Sequence, residues 1–316
     1  MDNEFINLNS EYVFRCKGIT KLYNNQKALD NFSMNVRNGE IYGFVGENGS
    51  GKTTIIRVLT GLIKYNSGEY ELFGVKSNDP NIVNARKRIG AIVETPSIYS
   101  TLNLKDNMKI LGMLVDNRNE DDIRKVLTLV GLYNIYNDKK KVGNYSLGMR
   151  QRLGIAMALL KKPKFLILDE PMNGLDPQGV VSMRNLILDL NRNEGITFLI
   201  SSHILNELSL IATSYGIISK GRMIKEVSKD ELNNSVKHEA FIKVNDENMA
   251  YDILKDICEC EKLSGEIRIT GDFEINVILK KLALADIDVF KVDESHADIE
   301  KYYLNLIAEA NHGNVN

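Results

Sequence analysis

The run Gly46-Glu47-Asn48-Gly49-Ser50-Gly51-Lys52-Thr53-Thr54 carries the densest chemistry in this chain. It follows the apolar Ile41-Tyr42-Gly43-Phe44-Val45 and precedes the helix-patterned Ile55-Ile56-Arg57-Val58-Leu59. A strand, a glycine-rich turn and a helix start aim backbone N–H groups and a helix dipole at one point, which suits the phosphates of a nucleotide. Gly46, Gly49 and Gly51 let the backbone bend and approach closely, with Asn48, Ser50 and Thr54 completing the cradle. Lys52 can reach the β- and γ-phosphates, and the Thr53 hydroxyl can ligate Mg²⁺. A second cluster, Leu168-Asp169-Glu170-Pro171, closes an apolar run with adjacent carboxylates. Asp169 is placed to hold Mg²⁺ and Glu170 to polarise an attacking water as general base. Taken singly, the first motif is seldom an ordinary glycine-rich turn in this strand and helix setting, whereas the second is commonly a solvated acidic pair. Together they describe a nucleoside triphosphate site, although the phosphate loop alone leaves kinases, GTPases and ATPases open.

The elements that must position these groups follow from periodicity. Alternation at Tyr12 to Ile19 and at Phe32, Met34 and Val36 predicts antiparallel strands ahead of the nucleotide strand. A helix is expected over 53–63, a buried strand over Ile89 to Val93, and mainly helix from about 103 to 160. Strand and helix alternation then resumes with strands at Phe165 to Asp169, at Thr197 to Ile200 and near Tyr215 to Ser219, and a helix near 178–192. That is the pattern of a parallel sheet. The helical block reads as an insertion into an α/β core. After the polar stretch Ser228 to Ser235, strand-like Ala240 to Val244 and Glu266 to Ile269, with helix-like 248–257, 273–284 and 297–308, suggest a small α+β appendage without a chemical motif.

Bulk properties narrow the class. The 316 residues, 43% hydrophobic and 26% charged, suffice for one large domain and a small one. A formal charge of -2 gives no basic footprint for nucleic acid, and Lys139-Lys140-Lys141 reads as solvated loop charge. Cys16, Cys258 and Cys260 lack zinc spacing and fit reduced thiols in a cytosolic protein. Neither a signal peptide nor the roughly 18 consecutive apolar residues of a membrane helix is visible, so any membrane span is expected from another chain.

Further motifs carry a resemblance. Tyr145-Ser146-Leu147-Gly148-Met149 followed by Arg150-Gln151-Arg152, Asn173-Gly174-Leu175-Asp176, and Ser201-Ser202-His203 at a strand end stand in order with the phosphate loop and Asp169-Glu170. The chain resembles the nucleotide-binding subunit of an ABC transporter over roughly residues 11–226. The resemblance implies a P-loop ABC ATPase core with an antiparallel β subdomain and a helical subdomain at about 95–160. An accessory α+β domain at 229–310 follows. It also implies ATP and Mg²⁺ as ligands, His203 as the switch histidine at the γ-phosphate, and Tyr23 as the aromatic that stacks on adenine. Ser146 and Gly148 at a helix start would face the nucleotide of a second copy, giving a homodimer that sandwiches ATP, and Asp176 of the D-loop is a further expected nucleotide contact. His238, His296 and His312 have no such context.

Four departures bear on the resemblance. The family usually has glutamine after the strand at 89–93, near Mg²⁺ and the attacking water, and here Glu94 stands there. An ionised carboxylate can ligate Mg²⁺ or accept hydrogen bonds, donates none, and adds negative charge near phosphate. Glutamate there, with Tyr-Ser-Leu-Gly-Met in the signature, resembles the subfamily that exports or protects against bacitracin and lantibiotic peptides. Leu147 and Met149 replace a glycine and a glutamine, and Met172 stands where threonine is frequent. The expectation is a cytoplasmic ATPase subunit, peripheral on the membrane through a separately encoded permease, with no nucleic-acid partner. Its cargo is an antimicrobial peptide or, alternatively, a drug, lipid, polysaccharide or ion; a cassette acting on ribosomes or DNA is the remaining alternative. The segment Thr95 to Val115 lies where the family forms its groove for the permease, and spacing does not separate interface from core among Ile98, Tyr99, Leu102, Leu104 and Met108.

Overall fold

Alternating burial along Tyr12–Tyr23 and Gln26–Arg37 pairs these strands antiparallel, joined by a two-residue turn at Asn24 and Asn25 with φ of 45° and 69°. Positive φ at both turn residues matches the right-handed twist of a hairpin, and asparagine tolerates it. In the computed structural model, which describes residues 7–8, 10–235, 239–271, 273–295, 303 and 306–308, two compact units occur, Met1–Val227 and Ser228–Asn316.

In the first unit, the hairpin joins Ser67–Leu72 and Val75–Lys76 in one sheet. A second sheet runs in the order Arg222–Ser228, Ser214–Ser219, Ile41–Val45, Thr197–Ser202, Phe165–Asp169, Ile89–Ile92. Ile41–Val45 is parallel to both its neighbours, and the three strands from Thr197–Ser202 to Ile89–Ile92 are mutually parallel. Central strands buried on both faces read as continuous apolar runs, and Ile41–Val45 and Phe165–Asp169 are buried throughout. The C-terminal ends of these two strands and of Thr197–Ser202 between them deliver Gly46, Glu170 and His203 to one edge, where ligands of open α/β sheets gather.

Between the two sheets lies the helix Lys52–Leu59. Its Ile55, Ile56, Val58 and Leu59 are buried in one core with Phe14, Phe32, Phe44 and Phe165. Fully burying four such side chains contributes very roughly 6–12 kcal/mol before entropy is counted. This packing fixes the helix start, and with it the phosphate loop.

Helices Leu104–Leu114, Glu120–Leu129 and Leu147–Leu159 occupy the interval between the strands Ile89–Ile92 and Phe165–Asp169. Asn103 and Asn119 cap the first two by accepting from Asp106 N and Asp121 N. Leu104 and Met108 are fully buried. Ile98 and Tyr99 instead line a cavity of about 720 Å³, with Ile110, Leu111, Leu114 and Met157 among its walls. No helix among the described residues is long and apolar enough to cross a membrane.

After a short helix, Lys229–Ser235, the second unit alternates β-α-β-β-α-β, with strand order Glu259–Leu263, Glu266–Thr270, Glu239–Val244, Val289–Ser295. That is the split β-α-β arrangement. Ala240, Ile242, Ile267 and Ile269 pack with Leu254, Ile278 and Leu282 of its helices Glu247–Leu254 and Ile275–Leu284. Sequence periodicity misses Glu259–Leu263 and Val289–Ser295 because both are edge strands, rich in charge and short of apolar alternation. The expected helix at 297–308 lies largely outside the described residues, as do His238, His296 and His312.

Candidate nucleotide site

The phosphate loop is glycine where the backbone leaves no choice. A Cβ on Gly46 would stand 2.5 Å from Ile218 O, and one on Gly51, at φ 112°, would stand 2.7 Å from Ala28 O. Gly49, at φ 79°, has nothing within 4 Å of its would-be Cβ and sits at the exposed tip beside Asn48. Ser50 is buried, and its Oγ has no hydrogen-bond partner within the chain. Such a hydroxyl costs about 1–3 kcal/mol unless something else satisfies it. Thr54 is half-buried on the first turn of the helix.

Around this loop the candidate residues form a bonded cluster. Lys52 is 5% exposed, and its Nζ donates to Gly46 O at 2.6 Å and Glu47 O at 3.2 Å. It also stands 3.5 Å from Glu170 Oε1. The other oxygen, Oε2, lies 2.8 Å from His203 Nδ1. Thr53 Oγ1 donates to Asp169 Oδ2 at 2.9 Å, and Asp169 Oδ1 accepts from Ser201 Oγ. The Glu170 N–H in turn donates to Ser201 Oγ at 3.0 Å and Ser201 O at 3.2 Å. These bonds hold Glu170 at φ 51°, a conformation costing on the order of 1–3 kcal/mol for a residue with a Cβ. Ser201 thus holds the Asp169 carboxylate and the Glu170 backbone, a role the serine's sequence position did not reveal.

The donor set fits the groups that the motifs imply. Thr53 and Asp169 bring a hydroxyl and a carboxylate together, both hard oxygen donors suited to Mg²⁺ with phosphate oxygens completing its shell. Lys52 and the loop's N–H groups suit a triphosphate. Beyond His203, the Glu207 carboxyl is held above its ordinary range, first by burial and then by the charge of Glu170, with His203 acting against the shift. Glu207 was another residue invisible to motif reading, since a lone glutamate four positions after a histidine carries no signal.

The remaining candidates stand apart. Tyr23 ends the first strand, 43% exposed, with Lys21 Nζ 4.9 Å from its ring centroid. That leaves one aromatic surface open to a partner. Glu94, at φ 64°, pairs with Arg57 through Nη2 and Oε1 at 2.5 Å rather than with Thr53 or Asp169. Ser146 caps the helix Leu147–Leu159 by accepting from Met149 N at 3.3 Å, and Asp176 caps Pro177–Glu194 by accepting from Gly179 N at 3.0 Å. Both side chains are exposed. Leu147 lies beside Gly174, whose would-be Cβ is 3.1 Å from Leu147 Cδ2, and Gly148 faces Leu175 at 3.6 Å. The leucine that replaces a signature glycine is therefore accommodated by the Gly174 turn. Among the described residues, no hydrogen bond or ion pair joins Ser146, Gly148 or Asp176 to the Lys52 cluster.

A family model described as ABC transporter matches residues 29–173. The chain is 41% identical over 300 residues to the bacitracin transport ATP-binding protein BcrA of Bacillus licheniformis, covering 93% of this chain and 97% of that one. It is 40% identical over 222 residues to the lantibiotic transport ATP-binding protein SrtF of Streptococcus pyogenes, covering 70% of this chain and 93% of that one. The solved dimeric ATP-binding cassette MJ0796, in a post-hydrolysis state with ADP and phosphate, shares the fold at TM-score 0.60 and 24% identity. That match covers 68% of this chain and 98% of the other.

Proposed function

This chain belongs to the ABC transporter family of ATP-binding proteins, and we propose from that premise that it hydrolyses ATP to drive a separate membrane permease conferring resistance to bacitracin- or lantibiotic-type peptides. The observation that carries the hydrolytic part is the bonded cluster of Lys52, Thr53, Asp169, Glu170 and His203 at the sheet edge. Thr53 and Asp169 hold Mg²⁺, which when bound neutralises charge on the phosphates. Lys52 and the loop N–H groups bind the β- and γ-phosphates, and Tyr23 stacks on adenine. Glu170 accepts a proton from the attacking water; His203, beside it, contacts the γ-phosphate and keeps the carboxylate oriented. Ser146, Gly148 and Asp176 act on the nucleotide of a second copy, so the active form is an ATP-sandwiched homodimer.

The cargo reading rests on the names of the bacitracin and lantibiotic relatives together with Glu94. The permease reading rests on the cavity beside Ile98 and Tyr99. Leu62, Tyr99 and Leu114 on its walls are 65%, 52% and 73% exposed, an apolar surface suited to another protein. Such docking places this subunit at the cytoplasmic face of the membrane.

Expression with the neighbouring membrane genes in a sensitive host tests the proposal, with Glu170→Gln as the inactive control. Protection against bacitracin or a lantibiotic that the control loses is the expected result. A stable membrane complex that protects against neither peptide contradicts the cargo assignment.

A further inference from the structure

Glu94, a candidate Mg²⁺-site carboxylate, stands outside the bonded cluster and is paired instead with a cation. On the helix Lys52–Leu59, burial of Ile55, Ile56, Val58 and Leu59 leaves Thr53, Thr54 and Arg57 partly exposed, with Thr60 just beyond. Thr53, Arg57 and Thr60 follow i, i+4, i+7 spacing and form one stripe. At its top Thr53 is bonded to Asp169, and at its foot Thr60 lines the cavity. Midway, Arg57 Nη2 meets Glu94 Oε1 at 2.5 Å. The left-handed backbone at Glu94 turns the chain toward that contact, and Thr95, Pro96, Ser97, Ile98 and Tyr99 continue directly along the cavity wall.

We propose that Arg57 is a positioning residue for Glu94. It neutralises the carboxylate and pairs it to a helix position about one turn, on the order of 6 Å along the axis, beyond Thr53. The negative charge that Glu94 would otherwise add beside the triphosphate is thereby carried as an ion pair. This inference rests on the nucleotide-site reading above. Without Arg57, an uncompensated carboxylate would lie within about a Debye length of the most highly charged part of the ligand. Because the Arg57 and Glu94 side chains are 38% and 60% exposed, the pair adds little to folding stability, and its effect lies in the electrostatics of the site.

The full chain is compared with Arg57→Gln, Arg57→Lys, Glu94→Gln and the Arg57→Gln/Glu94→Gln double variant. A fluorescent ATP analogue is titrated in EDTA and in Mg²⁺, and melting temperatures are recorded alongside. Arg57→Gln is expected to weaken binding of the metal-free nucleotide by on the order of fivefold, and by less when Mg²⁺ is present. Arg57→Lys and the double variant should return to within about twofold of wild type, the double because both charges are then absent. Melting temperatures should stay within about 3 °C, which a merely structural role for Arg57 would not predict. A double variant as weak as Arg57→Gln overturns the proposal, because Arg57 would then act on the nucleotide directly; so does unchanged binding in Arg57→Gln. Failure of the wild-type chain to bind the analogue overturns the nucleotide-site reading and this proposal together.

Discussion

The phosphate-loop side and the signature side of the first unit are built differently. Around the phosphate loop, every charged candidate has a partner within the chain: Lys52 meets Glu170, Glu170 meets His203, and Thr53 meets Asp169. Ser146 and Asp176, by contrast, use their oxygens to cap their own helices and are exposed to solvent. One region holds its candidate groups together by bonds within the chain. The other offers a helix start to whatever approaches from outside, as an ATP sandwich between two copies requires.

The largest effect should come from the internally bonded side. Glu170→Gln removes the proposed base while leaving the phosphate cradle, so the hydrolysis rate should fall by about 10²- to 10⁴-fold with nucleotide affinity little changed. A residual rate within tenfold of wild type, measured by phosphate release, would move the base elsewhere in the cluster.

A smaller and more selective effect belongs to the open side. Gly148→Asp adds a carboxylate at the start of the helix Leu147–Leu159, where its would-be Cβ meets Leu175 at an ordinary 3.6 Å. The fold should tolerate it. Nucleotide binding by the isolated chain should stay within about twofold of wild type, whereas hydrolysis should fall at least tenfold through repulsion of the partner's phosphates. Parallel loss of binding and hydrolysis would erase the distinction between the two regions.

Most of this contrast was legible from residue order, because local motifs announce themselves. The glycines at 46, 49 and 51, the carboxylates after Leu168 and the serine opening the helix Leu147–Leu159 each depend on immediate neighbours, and each was found where its pattern placed it. What could not be read depends on strands that meet only after folding. Ser201 locks Asp169 and Glu170 because Thr197–Ser202 pairs with Phe165–Asp169. Arg57 meets Glu94 across a wide sequence gap, so neither residue alone signals the pair. Nor could spacing tell that Leu104 and Met108 belong to the core while Ile98 and Tyr99 face the cavity. The polar edge strands of the second unit were hidden for a different reason: charge at an edge guards against pairing and masks the alternation that marks a strand.

Whether two chains share each nucleotide is decided by the mass of the Glu170→Gln chain in solution, with and without MgATP. The expected result is a monomer without nucleotide and a dimer with MgATP, reverting to monomer when Gly148→Asp is added. A Glu170→Gln chain that binds MgATP and remains monomeric would contradict it.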